Sequence, residues 1–147
     1  MNLLDILLVF CVRYLIFLLP LPALYFWFKK QRTVLWKVLL SSMMALAVSE
    51  ILKYIIRSPR PIEPLNLLGG AEGASFPSSH SAAAAAIACS YWLHNHPFGV
   101  VVFLLALLVG VGRVLGGVHY PIDIGAGLAI GVIVAVIADH LVIYYKK

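Results

Sequence analysis

The sequence predicts an all-α, polytopic membrane bundle of about five spanning helices, and three observations predict it. Hydrophobic residues make up 63% of the 147-residue chain, and its mean hydropathy of +0.99 lies far above the soluble range. The apolar residues fall into runs that match the roughly 20 residues a helix needs to cross a bilayer. Only residues 58–77 interrupt the series at any length, and this stretch holds four of the eight prolines. At this length the chain is expected to form one membrane-embedded domain, 1–147.

The first run covers about 3–28 and is expected to kink near Pro20 and Pro22. It lacks a basic leader and a small-residue cleavage site and carries Arg13, so it reads as a retained span rather than a signal peptide. Arg13 itself reads as internally bonded or snorkelling. The second run covers about 33–57. The third, about 78–95, is Ala-rich and weakly apolar, which suits a helix packed among its neighbours. The fourth covers about 98–115 and the fifth about 120–145. Gly127 and Gly131 in the last have a small-xxx-small spacing, read as close packing inside the chain rather than a dimer seam, and oligomeric state is left open. The 58–77 loop is expected to lie over the membrane face as a lid or re-entrant segment.

Lys and Arg total 11 against 6 Asp and Glu, a net charge of +5. The surplus forms no long basic stripe, which excludes a nucleic-acid partner. Lys29, Lys30 and Arg32 follow the first run and Lys146 and Lys147 end the chain, so with five helices both clusters share one side. The positive-inside rule makes that side cytoplasmic in a multi-pass cell-membrane protein and turns the 58–77 loop and the 116–119 turn outward. Tyr144 and Tyr145 read as an interface anchor, and His94, His96 and His140 as interfacial on the inner side. Cys11 and Cys89 form no CxxC pair and read as buried small hydrophobes. No carboxylate-rich or cysteine cluster suggests a metal or other cofactor, so none is expected.

Ionisable residues at membrane depth are costly and point to a functional site. Arg113, His119 and Asp123 form such a group within GRVLGGVHYPID, residues 112–123. His119 and Asp123 are four apart, so on one helix they share a face, where the carboxylate can fix the imidazole's tautomer. Gly116 and Gly117 break the preceding helix and Pro121 suits a first turn, so Arg113 and His119 are expected around one concave spot, an anion site. Lys53, Arg57 and Arg60 would share a face if their helix persisted to Arg60, although Pro59 and Pro61 loosen its end. Arg57 is the best candidate of the three for a simple headgroup anchor. Glu50 stands one turn before Lys53, placed either to hold it or as a structural ion pair. Pro77, Ser78, Ser79 and His80 open the third run, with a hydroxyl and free amides beside a histidine. Glu63 and Glu72 read as solvated loop charges.

Together these blocks resemble the type 2 phosphatidic acid phosphatases, which share their site with vanadium-dependent haloperoxidases. Here they read K-x6-RP from Lys53 to Pro61, PSSH from Pro77 to His80, and R-x5-H-x3-D from Arg113 to Asp123. Two positions depart from the family pattern: Ser79 stands where Gly is usual, and Gly112 where Ser often precedes the third block. The family core commonly has six helices against the five expected here, which leaves an N-terminal span absent. The resemblance implies a PAP2/haloperoxidase-like core. It implies that His119 is the nucleophile, Asp123 its orienting partner, and His80 the acid and then base. It further implies that Lys53, Arg60 and Arg113 bind the phosphoryl oxygens with help from Ser78 and the Ser79 amide. The expected activity is metal-independent hydrolysis of a lipid phosphate or diphosphate, with a polyprenyl diphosphate such as undecaprenyl diphosphate preferred by analogy. Phosphatidylglycerophosphate, phosphatidic acid and lipid A phosphate stand as alternatives. A vanadate-dependent peroxidase would use the same ligands but lacks a soluble scaffold here. A non-enzymatic anionic-lipid binder or transporter would need the cations and not the His119–Asp123 pair.

Overall fold

The computed structural model describes residues 14–61, 73–94 and 97–144, and all regular structure among them is helical. Six helices follow in order: α1 (Leu15–Leu18), α2 (Leu21–Phe28), α3 (Arg32–Ile56), α4 (Ser79–Leu93), α5 (Phe98–Leu115) and α6 (Pro121–Tyr144). The first apolar run is broken where expected, because Pro20 has no N–H to continue α1 and instead caps α2. Arg13, Cys11, Glu63, Glu72, His96 and Tyr145 lie outside the described residues.

Three of these helices, α3, α5 and α6, are long and apolar enough to span a membrane. The fourth is different. Helix α4 has only 15 residues, a length of roughly 22 Å against a hydrocarbon core of about 30 Å, and it sits in the middle of the bundle. Twelve of its residues are buried, among them Ala82, Ala84, Ala85, Ala86 and Ala88 with no exposure at all. A helix surrounded by protein needs small residues for close approach rather than a lipid-compatible surface.

The glycines of α6 supply the other half of that contact. A Cβ on Gly127 would stand 2.6 Å from the Ser78 carbonyl oxygen, and one on Gly131 would overlap the Ala82 carbonyl and stand 2.7 Å from the Ala85 Cβ. The small-xxx-small spacing is therefore an intramolecular seam. One apolar cluster joins Leu19, Phe26, Val34, Val38, Tyr91 and Val102, and another joins Ala45, Ala82, Ala86 and Val134. The outer faces carry exposed Phe17, Trp36, Met43, Leu104 and Ile133, a surface suited to lipid.

A polar tie crosses the bundle at the end where α3 begins and α6 finishes. Lys37 and Asp139 form an ion pair at 2.5 Å with side chains 8% and 13% exposed. Nearby, Ser41 Oγ and Ser90 Oγ are 2.8 Å apart, and Ser90 Oγ donates to the Lys37 carbonyl at 3.5 Å. Lys37, Ser41, Ser90 and Asp139 thus each meet a polar group across a helix interface.

Candidate active site

The opposite end of the bundle gathers the end of α3, the start of α4, the end of α5 and the start of α6. Helix α5 stops at Leu115; Gly116 follows as its cap and Gly117 takes φ 69°, a left-handed conformation that only glycine adopts without strain. The chain turns there, the Val118 N–H donates back to the Arg113 carbonyl at 3.2 Å, and Pro121 starts α6. As expected, Arg113 and His119 meet, with Arg113 Nη2 at 3.4 Å from His119 Nε2.

His119 is 3% exposed and Asp123 1%. Asp123 Oδ2 lies 3.3 Å from His119 Nδ1 and accepts the Tyr120 N–H at 2.9 Å, so the i,i+4 pairing holds at the helix start. This geometry puts the imidazole proton on Nδ1 and leaves the Nε2 lone pair facing the arginine. Burial pushes the His119 imidazole well below its ordinary value, with Arg113 and Arg60 adding to the effect and Asp123 opposing it. At neutral pH the ring is therefore uncharged and able to act as a nucleophile.

Ser75 completes this group and was not found by sequence reasoning. Its hydroxyl is fully buried, donates to Asp123 Oδ2 and lies 3.4 Å from His119 Nδ1. The Ser75 N–H is fixed by the Ser58 carbonyl at 2.8 Å, which ties the segment before α4 to the segment after α3. The only sequence signal was a polar residue immediately before Phe76–Pro77 in a proline-rich loop.

Arg60 reaches the site by a route other than the expected helical face. Helix α3 ends at Ile56 and Arg57 takes a left-handed conformation, so Lys53, Arg57 and Arg60 do not lie along one helix. Extended past Pro59, Arg60 instead donates from Nη1 to the Val118 carbonyl at 2.8 Å and from Nε to the Gly73 carbonyl at 3.1 Å. These bonds clamp its guanidinium beside the residue preceding His119.

Lys53 projects from the last turn of α3 toward the start of α4. Its ammonium pairs with Glu50 Oε1 at 2.8 Å and donates to Ser79 Oγ, while Ser79 Oγ donates to the same Glu50 oxygen at 2.7 Å. Glu50 therefore holds Lys53 in place, and the Ser79 hydroxyl joins the arrangement. Ser78 caps α4, with its Oγ accepting from Ser81 N at 3.4 Å and Ser81 Oγ at 3.1 Å, and its own N–H donating to the Asp123 carbonyl at 3.0 Å. That last bond docks the start of α4 on the start of α6. His80, on the first turn of α4, is partly buried within electrostatic range of Arg113, Lys53, Arg60 and Glu50.

A neutral imidazole with an orienting carboxylate, a second histidine and three basic side chains at one end of an apolar bundle is suited to receiving a phosphoryl group. Fold and site together define the class of helical membrane lipid phosphatases. The chain belongs to the PAP2 superfamily, whose model matches residues 34–146. It is 28% identical over 140 residues to an undecaprenyl-diphosphatase of Bacillus subtilis, covering 90% of this chain and 72% of that one. Among solved structures, LpxE of Aquifex aeolicus superposes with a TM-score of 0.77 at 31% identity, covering 94% of this chain and 86% of the other. A PAP2-type phosphatidylglycerolphosphate phosphatase of Bacillus subtilis shares the fold, with a TM-score of 0.77 at 24% identity over 96% and 77% of the two chains.

Proposed function

We propose that this phosphatase acts on a polyprenyl diphosphate, with undecaprenyl diphosphate the best candidate, through a phosphohistidine intermediate. The observation that carries the mechanism is the His119 environment: Nδ1 held by Asp123, Nε2 turned toward Arg113 at 3.4 Å, and burial keeping the ring neutral. The diphosphate preference is supported by the undecaprenyl-diphosphatase relative, which matches nearly the whole chain.

In this reading His119 Nε2 attacks the terminal phosphorus while the bond to the bridging oxygen breaks. Burial and the nearby Arg113, Lys53 and Arg60 hold the His80 imidazole down, to about 4, until the diphosphate's negative charge enters and offsets those cations. His80 then takes up a proton, gives it to the bridging oxygen, and the lipid monophosphate leaves. The neutral His80 then takes a proton from water as the hydroxide oxygen attacks phosphohistidine, which frees inorganic phosphate and restores both rings. Asp123 stabilises the positive charge that develops on His119. Lys53, Arg60 and Arg113 neutralise the equatorial oxygens, and the first-turn amides of Ser79 and His80 add donors at the start of α4. Ser78 contributes through the cap that sets this turn. The protein alone supplies the charge stabilisation in this scheme, so EDTA is expected to leave turnover intact.

Substitution His119→Ala is expected to reduce phosphate release from undecaprenyl diphosphate in detergent by roughly a thousandfold or more. Wild-type enzyme quenched during turnover of substrate labelled in the terminal phosphate should carry an acid-labile, alkali-stable phosphoryl label that His119→Ala lacks. Turnover retained in His119→Ala would overturn the mechanism.

For placement, the proposed site faces outward, with the α2–α3 turn and the C-terminus cytoplasmic. This rests on Lys29, Lys30 and Arg32 at the end opposite the site, together with Lys146 and Lys147.

A further inference from the structure

Helix α3 closes on an unusual residue for its position. Arg57 caps it at φ 52° and ψ 36°, with its N–H donating to the Lys53 carbonyl at 3.0 Å. A left-handed cap is where glycine is ordinarily found, because any Cβ is strained there. Strain of this kind persists where the surroundings hold it and tends to mark a functional position.

The strained residue opens onto a cleft of about 660 Å³ lined by Glu50, Lys53, Tyr54, Arg57, Arg60 and Gly73. That volume is in the range of small-ligand sites and exceeds what one phosphoryl group fills. Arg60 belongs to both regions, since it lines the cleft and also bonds the carbonyl next to His119. Arg60 thus joins the cleft to the surroundings of His119. Its charge is three cations against one carboxylate, and Glu50 is already engaged with Lys53 and Ser79. Within it Arg57 is held from one side only: Nε donates to the Tyr54 carbonyl at 3.0 Å and the guanidinium lies over the Tyr54 ring at 5.1 Å. Stacking and a single Nε bond orient a planar fork whose terminal nitrogens no described residue bonds.

We propose that Arg57 is a specificity-determining residue that binds the second phosphate of a diphosphate substrate, the one that stays on the lipid, in the Tyr54–Arg57–Arg60 cleft. The proposal rests on the diphosphatase reading above and deepens it. A terminal phosphate beside His119 leaves its neighbour on the side of the leaving oxygen, toward the opening, where a bidentate guanidinium matches two of its oxygens. A lipid monophosphate has no group to place there. Arg57 then contributes to discrimination between the two substrates and not to the chemistry at the terminal phosphorus.

The test compares farnesyl diphosphate with farnesyl monophosphate in detergent, since the two share one tail and differ only in the second phosphate. Arg57→Gly keeps the left-handed cap without its strain, so it is expected to fold with an unchanged or higher Tm. Its kcat/KM for the diphosphate should fall by about tenfold or more, mostly through KM, while the value for the monophosphate changes less than about threefold. Arg57→Lys, which keeps the charge and loses the fork, should fall between. Lys30→Gly, at the other non-glycine residue with positive φ among those described, is the control for strain relief and should leave the ratio unchanged. If Arg57→Gly leaves the diphosphate-to-monophosphate ratio at the wild-type value, the proposal is overturned while the phosphatase reading stands. If wild-type protein releases phosphate from neither compound nor from undecaprenyl diphosphate, the underlying reading itself fails.

Discussion

Ser75 shows how one buried hydroxyl can set the properties of a histidine that it barely touches. It donates to the same Asp123 oxygen that faces His119 Nδ1, so it spreads the carboxylate charge that would otherwise bear on the imidazole alone. Removing it leaves that oxygen one donor short, at roughly 1–3 kcal/mol for a buried charged acceptor. Ser75→Ala is therefore expected to lower kcat by about tenfold and to move the acid limb of the pH–kcat/KM profile upward, as Asp123 pulls harder on the His119 proton. An unmoved limb with lowered stability would make Ser75 a scaffold residue only. In the parent enzyme that limb should lie below pH 6.5, because burial favours the neutral ring. The same shift bears on stability. The folded state holds fewer protons on His119 than the unfolded chain, so stability from this group is complete above about pH 6.5 and is lost as pH falls below it.

Much of the site at this scale was legible from charge alone. Arg113, His119 and Asp123 were conspicuous because ionisable groups are rare in apolar runs, and their spacing gave the contact correctly. Ser75 was not legible, because a serine in a loop is unremarkable until the fold brings it to a residue 48 positions away. Arg60 was expected on one helical face with Lys53 and Arg57, and it reaches the His119 region with a different support. Helical periodicity does not reveal that Arg57 stops the helix and that backbone carbonyls of Gly73, Ala74 and Val118 then carry the guanidinium.

Helices meet most tightly where α6 crosses α4, and the two sequences are matched for it: alanines on one, Gly127 and Gly131 on the other. The backbone carbonyl of Ala82 occupies the space a side chain on Gly131 would need, and a backbone atom inside a helix cannot give way. Gly131→Val is expected to destabilise the folded protein by at least about 1–3 kcal/mol, read as a lower Tm in detergent, since overpacking a close seam forces the helices apart. The solvent-exposed face offers the comparison: Gly125→Ala meets nothing within 4 Å and should raise or preserve Tm. An unchanged Tm for Gly131→Val would refute the seam. Sequence reading reached this element through composition: an Ala-rich, weakly apolar segment suits an interior helix, and α4 is that interior helix. It placed the helix ends within a few residues, and it anticipated the break at Pro20 because proline's effect is local.

Across the whole molecule, function depends on which end of the bundle faces which compartment. The cationic α2–α3 turn marks one end, and the cluster of Lys53, Arg60, Arg113 and His119 proposed to bind phosphate lies at the other. Single cysteines at Gln31 and Asn66, in a chain with Cys11 and Cys89 replaced, are expected to respond oppositely to an impermeant maleimide on intact cells. Asn66→Cys should label and Gln31→Cys should label only after lysis. The reverse pattern would invert the proposed placement. Sequence periodicity carries no such long-range information about side-chain partners. Lys37 on α3 and Asp139 on α6 are far apart in the sequence, and nothing local announces that they meet.

Their meeting has a bearing on how the protein is made. A lysine early in α3 and an aspartate late in α6 are each unfavourable in hydrocarbon until the other arrives, and ribosomal synthesis separates their appearance by most of the chain. The lysine must wait at the interface or with a temporary partner while α4 and α5 are laid down. When α6 enters, its charge closes the bundle at the end remote from catalysis, and the same helix carries His119's partner Asp123 into position at the other. Helix α6 is thus the element that both answers the Lys37 charge and brings Asp123 to His119, so a chain halted before α6 has neither contact.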